Sequence, residues 1–268
     1  MHMKSKAPRH ARDYVANLAA LGHYSFASGD ARKALGVSAD AAKLALHRLI
    51  RDQVIASPAR GFYVVVPPEY RSLGCLPADQ FIPALMQRAG LPYYVGLSSA
   101  AQYHGAAHHR PQKFQVLLAK PRRPINCGQV SVEFFVRKRL QDVPVQRFNT
   151  PRGAILVSTP EATAVDLVGY QQQVGGLDQV ATILSELAER IEPQKLISAA
   201  EIAPAPWAQR LGYLLEQVGA SDKATALKAY VKKAARHAVR LLPAASSQPL
   251  HRDPNWKLIV NARVEAEQ

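Results

Sequence analysis

The sequence is poor in cysteine and has no long hydrophobic run. Its only two cysteines, Cys75 and Cys127, stand far apart with no paired spacing, which excludes a disulfide framework and a Cys-x-x-Cys metal site. We expect two reduced, packed thiols. No apolar stretch approaches the roughly 20 residues of a membrane-spanning helix, and the basic segment 1–13 lacks the apolar centre of a secretory signal. We therefore expect a cytoplasmic protein with no membrane partner.

Acidic residues are scarce in the first two thirds of the chain. Residues 1–72 contain 11 basic and 5 acidic side chains, residues 73–160 contain 11 and 3, and residues 161–268 contain 12 of each. The net charge of +14 therefore comes entirely from the first two segments. Such an excess attracts polyanions and makes binding weaken as salt rises, so it favours a nucleic-acid partner. A basic membrane-surface protein is the alternative, but no strongly amphipathic helix with a lipid signal is evident.

Residues 23–66 follow the order of a winged helix-turn-helix. The pattern has two helical runs, 31–35 and 40–51, joined by a short link at 36–38. A hairpin follows, with strands 54–57 and 62–66 joined by the turn 58–61. Ser28 and Ser38 each precede a helical run, where a hydroxyl can accept a hydrogen bond from an unpaired backbone amide. Gly36 suits the sharp turn between the helices. We therefore predict a winged helix-turn-helix DNA-binding domain over residues 1–72.

The second helical run has an apolar side and a cationic side. The apolar side, which we expect to pack on the first helix, consists of Ala42, Ala45, Leu46, Leu49 and Ile50. Base-edge contacts are predicted for Lys43, Leu44, His47 and Arg48. Phosphate contacts are predicted for Arg32, Lys33, Arg51 and, at the hairpin turn, Arg60. The alternative interpretation is a basic, solvated helix in any small α+β domain.

From residue 73 to 268 the pattern changes to a larger mixed α/β domain with a helical C-terminal part. We therefore predict the α/β (α+β) class. The expected strands are 114–119, 130–136, 152–157 and, after several helices, 256–261. Ser158 and Glu161 predict a capping box at a helix start. Asp166 on that helix is expected to form a structural salt bridge or hydrogen bond to the neighbouring domain.

Neither a metal site nor a cofactor site is predicted. Histidines cluster at His104, His108 and His109, but Gly105 interrupts a helix there and no second ligand cluster is evident. A polar loop is therefore favoured over a shared metal. The sequence also lacks the G-x-G-x-x-G, G-x-x-x-x-G-K and G-x-S-x-G motifs.

A second basic surface is predicted nearer the C-terminus. Residues 222–242 have helical periodicity, which places Lys228, Lys232, Arg236 and Arg240 on one face at i+4 steps. This face would touch the DNA backbone or an acidic partner protein. The alternative is a solvated face with no partner.

Three segments together carry a resemblance to a known family. They are Tyr93-Tyr94-Val95-Gly96-Leu97-Ser98-Ser99-Ala100-Ala101 with His104-Gly105, Ser158-Thr159-Pro160-Glu161-Ala162-Thr163-Ala164-Val165-Asp166-Leu167-Val168, and Arg210-Leu211-Gly212-Tyr213-Leu214-Leu215-Glu216. They resemble AbiEi-type antitoxins, the repressor half of bacterial type IV toxin–antitoxin systems, which are associated with abortive infection, a defence against phage. The resemblance runs along almost the whole chain.

The resemblance implies a winged helix that binds double-stranded DNA at inverted repeats in the promoter of its own operon. It also implies a functional partner, a nucleotidyltransferase-like toxin, and leaves open whether the two proteins form a physical complex. Whether the chain acts as a monomer or a dimer on DNA stays open as well. The second domain is expected to resemble a degenerate nucleotidyltransferase fold.

Enzymatic activity is the principal alternative that this fold raises. A working nucleotidyltransferase of this kind needs a Gly-Ser pair at a helix start and three carboxylates that hold two magnesium ions. Here Gly96-Leu97-Ser98 has a displaced serine, strand 114–118 has Gln115 among apolar residues, and only Glu133 remains. We therefore predict a DNA-binding repressor with no catalytic residue. A protein-binding antitoxin that clamps an acidic toxin surface is the further alternative.

Overall fold

A computed structural model of the protein describes residues 10–106, 111–243, 248 and 250–265. Its N-terminal part has three helices and three strands, which are α1 Ala11–Ala20, β1 Ser25–Ala27, α2 Ser28–Leu35, α3 Ala39–Arg51, β2 Ile55–Ala59 and β3 Phe62–Val65. The strands form one antiparallel sheet in the order β1-β3-β2. The two helices and the hairpin that the sequence predicts are present, whereas α1 and β1 were not predicted.

Specific residues define the ends of helices α2 and α3. Ser38 accepts a hydrogen bond from the Ala41 amide at 3.2 Å, as predicted. The predicted role of Ser28 is wrong, because Ser28 is the first helical residue and Asp30 instead accepts from the Ala27 amide at 3.0 Å. Gly36 has φ +63°, a left-handed conformation that glycine adopts without steric cost.

The core of this part lies between α1, α3 and the sheet. Tyr14 and Val15 of α1 pack with Phe26, Leu46 and Leu49 in one buried cluster. The predicted apolar side of α3 is correct at Ala42, Leu46 and Leu49. It is wrong at Ile50, which is 36% exposed because it lies at the margin of the buried face.

The second part is a mixed α/β structure, so the predicted fold class is confirmed. Its elements are α4 Ala78–Ala89, β4 Tyr93–Val95, α5 Leu97–Tyr103, β5 Phe114–Leu118, β6 Ile125–Cys127, β7 Val130–Val136, β8 Val145–Thr150, β9 Gly153–Ser158, α6 Pro160–Gly169, α7 Leu177–Leu187, α8 Pro193–Glu201, α9 Ala205–Gln217, α10 Ser221–Ala234, β10 Val239–Arg240, β11 His251–Asp253 and β12 Leu258–Val260. A six-stranded sheet has the order β6-β7-β5-β4-β9-β8, and a three-stranded sheet has the order β10-β12-β11. The edge strands β6 and β8 were not predicted.

Helix α6 lies in the centre of the second part, with every residue from Pro160 to Val168 buried. The predicted capping box is wrong, because Thr159 is the N-cap and accepts from the Ala162 amide at 3.3 Å. Glu161 instead accepts from the Glu192 amide at 3.0 Å. The contact of Glu161 with Glu192 anchors the start of α6 to the segment before α8.

The predicted salt bridge of Asp166 is present, but within the second part rather than to a neighbouring domain. Arg137 Nε lies 2.9 Å from one carboxylate oxygen, and the Tyr94 hydroxyl donates to the other at 2.6 Å. Both charged side chains are almost fully buried. The ion pair therefore joins the end of β7 to the central helix.

The long helix predicted at 222–242 ends early, at Ala234. The Lys257 ammonium group donates to the Ala235 carbonyl at 2.6 Å, and the chain then turns to form β10, which pairs parallel to β12. Leu241 is fully buried after this turn. Tertiary pairing with β12 thus prevails over the helical periodicity of the sequence.

The two parts share a core across the boundary predicted after residue 72. Phe62 and Val64 of the hairpin belong to the same buried cluster as Phe81, Met86 and Val132 of the second part. Arg152 also reaches across, with an ion pair to Glu69 at 3.2 Å. Within the described residues, no helix combines the length and the hydropathy that crossing a bilayer requires.

Candidate nucleic-acid interface

Four of the predicted DNA-binding residues lie around one cleft in the N-terminal part. Arg32 from α2, Lys43 and His47 from α3, and Arg60 from the hairpin turn line a cleft of about 430 Å³. The buried side chains of Ala42 and Leu46 contribute its apolar lining. The cationic side chains of α2, α3 and the hairpin turn thus line the same cleft.

The local structure explains why these elements converge. The Ser28 amide donates to the Gly61 carbonyl at 3.2 Å, which ties the start of α2 to the hairpin turn. Gly61 has φ +71°, so this turn also uses a conformation suited to glycine. Because Lys43 and His47 are one helical turn apart, both face the junction so formed.

The remaining predicted contacts lie beside the cleft rather than in it. Leu44, Arg48 and Arg51 share an adjoining strip of α3 at helical spacing, and Leu44 is 62% exposed. Lys33 is exposed on α2. Tyr63 was not predicted from the sequence. It lines the cleft and stacks on Phe26, with ring centroids 5.5 Å apart.

The charges of this cationic face, meaning Arg32, Lys33, Lys43, Arg48 and Arg60, are not compensated locally. No described acidic residue forms an ion pair with any of these five side chains. Arg51 is the exception on α3, with Asp52 at 3.8 Å, and Asp52 also pairs with Arg12 at 2.8 Å. The cationic face is therefore available to an external anion.

The second basic surface predicted from the sequence does not form a single helical face. Lys228 pairs with Glu216 at 2.8 Å, and the Trp256 indole donates to the same carboxylate at 2.7 Å. Lys232 is exposed on α10, but Arg236 lies beyond the helix end and Arg240 is in β10. The four cations are therefore divided among three structural contexts.

A separate cleft of about 600 Å³ contains the residues at the positions that were compared with a nucleotidyltransferase site. It is lined by Ser98, Gln115 and Glu133, and the last two are register partners on β5 and β7. The Lys113 ammonium group lies 2.5 Å from Glu133. The backbone amide of Gln115 donates a hydrogen bond to Ser99 Oγ at 3.0 Å. The carboxylate expected from the sequence is thus present, but an internal cation already pairs with it.

The histidine cluster considered in the sequence is only partly described, since His108 and His109 lie outside the described residues. His104 makes a 2.7 Å hydrogen bond from its Nε2 atom to the Ser158 carbonyl. Burial lowers the pKa of His104 below its ordinary value, against the opposing effect of that carbonyl. Among the residues with described positions, no group of three or more histidine, cysteine or carboxylate side chains could hold a metal ion.

Comparison with known proteins found one similar family and several similar structures. Residues 93–217 match the family model of the AbiEi antitoxin C-terminal domain. The RV2827C protein from Mycobacterium tuberculosis shares the fold, with a TM-score of 0.66 and 19% identity over 94% of this chain and 92% of that one. An antigenic nucleotidyltransferase-like protein from Paracoccidioides brasiliensis aligns with a TM-score of 0.35 and 14% identity, over 57% of this chain and 91% of that one.

The family match supports the resemblance to AbiEi-type antitoxins seen in the sequence. It begins at β4 and ends in α9, so the helices and hairpin of the N-terminal part lie outside it. No curated protein sequence matches the chain.

Proposed function

We propose that the chain, which carries an AbiEi antitoxin C-terminal domain at residues 93–217, acts as the antitoxin of a type IV toxin–antitoxin pair and represses its own operon. Residues 1–72 are proposed as a winged helix-turn-helix domain and residues 73–268 as the antitoxin domain. The proposed ligand is double-stranded DNA with inverted repeats. The proposed functional partner is a nucleotidyltransferase-like toxin, and the proposed context is abortive infection of phage-infected bacteria.

The observation that carries the DNA-binding part of this proposal is the convergence of Arg32, Lys43, His47 and Arg60 on one cleft. A helix presented beside a hairpin turn fits the major groove, with the turn beside the neighbouring backbone. The uncompensated charges of the cationic face supply attraction to phosphates that does not depend on sequence. The geometry therefore suits a duplex better than a small acidic ligand.

The proposed contacts are of two kinds, those to base edges and those to phosphates. Lys43, His47 and Arg48 are proposed to contact base edges, while the exposed Leu44 would contact a thymine methyl group. Phosphate contacts are proposed for Arg32, Lys33, Arg51 and Arg60. Two copies of the chain would then place two α3 helices on the two halves of an inverted repeat.

We propose that the second cleft does not catalyse nucleotidyl transfer. Two-metal phosphoryl transfer needs several carboxylates, and Glu133 is already paired with Lys113. A direct test incubates the protein with labelled nucleoside triphosphates, magnesium and transfer RNA. The proposal predicts no label transfer, and transfer that survives Glu133→Ala would place an active site elsewhere in the chain.

A clamp for an acidic toxin surface is the second candidate, and the division of Lys228, Lys232, Arg236 and Arg240 argues against it. Copurification of the chain with the toxin encoded beside it separates the two cases. Capture that is lost in a Lys232→Ala/Arg236→Ala variant would favour the clamp.

The experiment that tests DNA binding is a salt series on two double variants of equal charge change. Arg32→Ala/Arg60→Ala removes two proposed phosphate contacts, so the slope of log affinity against log salt should fall by about two. Lys232→Ala/Arg236→Ala removes two exposed cations elsewhere and should leave the slope unchanged. Equal losses in both variants would mean that general charge, and not the cleft, attracts the DNA.

A further inference from the structure

Two cysteines that are distant in the sequence meet where the hairpin joins the second part. Cys75 follows the predicted boundary and is a member of a buried cluster, and Cys127, which ends β6, packs against that same cluster. Their proximity was not predicted from the sequence. Both thiols are free.

The backbone holds the two cysteines together through their glycine neighbours. A Cβ atom on Gly128 would lie 2.1 Å from the Leu73 carbonyl oxygen and 2.9 Å from the Gly74 Cα, so only glycine fits. The Gln129 amide also donates to the Leu73 carbonyl at 2.7 Å. The two segments are thus in close backbone contact, which fixes the approach of Cys75 and Cys127.

The environments of the two thiols differ. Cys127 is partly exposed, whereas Cys75 is fully buried. The interaction with Cys75 lowers the pKa of Cys127, burial opposes that change, and the Ser57 backbone amide on β2 adds to it. The same interaction and burial raise the pKa of Cys75. Because Cys127 is the accessible member of the pair, a peroxide reaches its sulfur first, and we assign Cys127 as the nucleophile.

We propose that Cys75 and Cys127 form a reactive dithiol, a modification site at which a peroxide produces a reversible intramolecular disulfide. The Cys127 thiolate attacks one oxygen of hydrogen peroxide, the O–O bond breaks, and a sulfenic acid and hydroxide result. The Cys75 sulfur then attacks the sulfenic sulfur, its proton leaves with the hydroxyl as water, and the S–S bond forms. Overall, two thiols are oxidised and one peroxide is reduced to two waters.

The position of the pair gives the disulfide a structural consequence. Cys75 follows the hairpin and Cys127 ends β6, which lies against hairpin strand β2, so both cysteines are at the junction of the two parts. A bond there would tie the segment that follows the hairpin covalently to the main sheet. A dithiol reductant would reverse it by thiol–disulfide exchange.

The test treats the full-length protein with hydrogen peroxide, alkylates remaining thiols after denaturation, and measures the intact mass under non-reducing conditions. We expect a monomer that has lost two hydrogens, takes up no alkyl groups, and yields one peptide pair joining Cys75 to Cys127. Dithiothreitol should restore two alkylation sites. A monomer that still takes up two alkyl groups, or disulfide found only between chains, would overturn the proposal.

Two variants test the order of the steps. Cys75→Ser should leave a sulfenic acid on Cys127 that dimedone labels in the folded protein. Cys127→Ser should leave Cys75 unlabelled, because it is buried. Dimedone labelling of Cys75 with none on Cys127 would contradict the assigned order, and the wild-type mass measurement remains decisive if either variant fails to fold.

Discussion

The clefts of the two parts use similar residues in opposite ways. In the N-terminal cleft, Arg32, Lys43 and Arg60 face solvent, and no described acidic side chain forms an ion pair with them. In the second cleft, Lys113 and Glu133 pair with each other. Charges left uncompensated add little to the stability of a fold, so their convergence points to an external anion. Paired charges satisfy each other and need no ligand.

The same contrast corrects a conclusion drawn from charge counts. Residues 73–160 have the largest basic excess in the sequence, 11 basic against 3 acidic side chains. Several of those cations have internal partners, since Arg137 pairs with Asp166, Arg139 with Asp142, and Arg152 with Glu69. Arg137 also lies 5.0 Å from the Trp207 ring. The smaller excess of residues 1–72 is therefore the better indicator of a binding surface.

The largest expected effect comes from removing the partner of a buried cation. Asp166→Ala leaves Arg137 charged and unpaired in the core, so the free energy of unfolding should fall by about 3–5 kcal/mol. Denaturant unfolding measures this change. Asp142→Ala, which breaks the exposed pair with Arg139, is the matched control and should cost about 1 kcal/mol or less. Similar losses in both variants would mean that burial does not distinguish the two ion pairs.

The next largest effect is expected on DNA affinity, when a cation of the N-terminal cationic face is removed. Arg48→Ala should weaken binding to the upstream DNA by about 1–3 kcal/mol, the usual range for one bidentate base contact. Fluorescence anisotropy with the upstream duplex and a scrambled duplex gives both affinities. If Arg48 reads a base, the scrambled duplex loses much less. Equal losses on both duplexes would make Arg48 a phosphate contact.

A smaller effect should appear as a pH dependence of stability. Burial lowers the pKa of His104, so the unfolded chain takes up a proton there at a higher pH than the folded chain does. Stability should therefore decrease as pH falls below about 6.5, the ordinary histidine value. Thermal unfolding at pH 8 and pH 5.5 measures the loss. His104→Gln should reduce it, and an unchanged loss in that variant would assign the dependence to other groups.

The smallest effect on stability is expected in the second cleft, where Lys113 and Glu133 pair with each other. Lys113→Ala removes an exposed cation from Glu133 and should change the free energy of unfolding by less than about 1 kcal/mol. Denaturant unfolding beside wild type checks it. A loss as large as that of Asp166→Ala would show that folding depends on the charges of the second cleft. That result would contradict the contrast drawn between the two clefts.

Some features set by local sequence could be predicted, although the helix caps predicted at Ser28 and Ser158 were wrong by one residue. The Ser38 cap and the Gly36 turn depend on neighbours along the chain, and both are present. The apolar side of α3, which depends on helical periodicity, is correct except at Ile50. Strands β6 and β8 were not predicted because each is an edge strand defined by its partner.

Features that depend on contacts between distant residues could not be predicted from the sequence. The early end of α10 depends on Lys257 and β12, and the approach of Cys75 to Cys127 depends on a glycine contact between remote segments. In the candidate site, the positions of Lys43 and His47 followed from periodicity, whereas the place of Arg32 and Arg60 around the same cleft required the tie between Ser28 and Gly61. Long-range packing, not local propensity, decided these points.

The most direct test of the central claim compares binding of the wild-type protein to the DNA upstream of its own gene and to a scrambled duplex over a salt series. A repressor that reads bases should bind both at low salt and should retain the upstream duplex after rising salt has released the scrambled one. Equal binding to both duplexes that disappears at the same salt concentration would contradict the account, because it would leave only nonspecific attraction to phosphate.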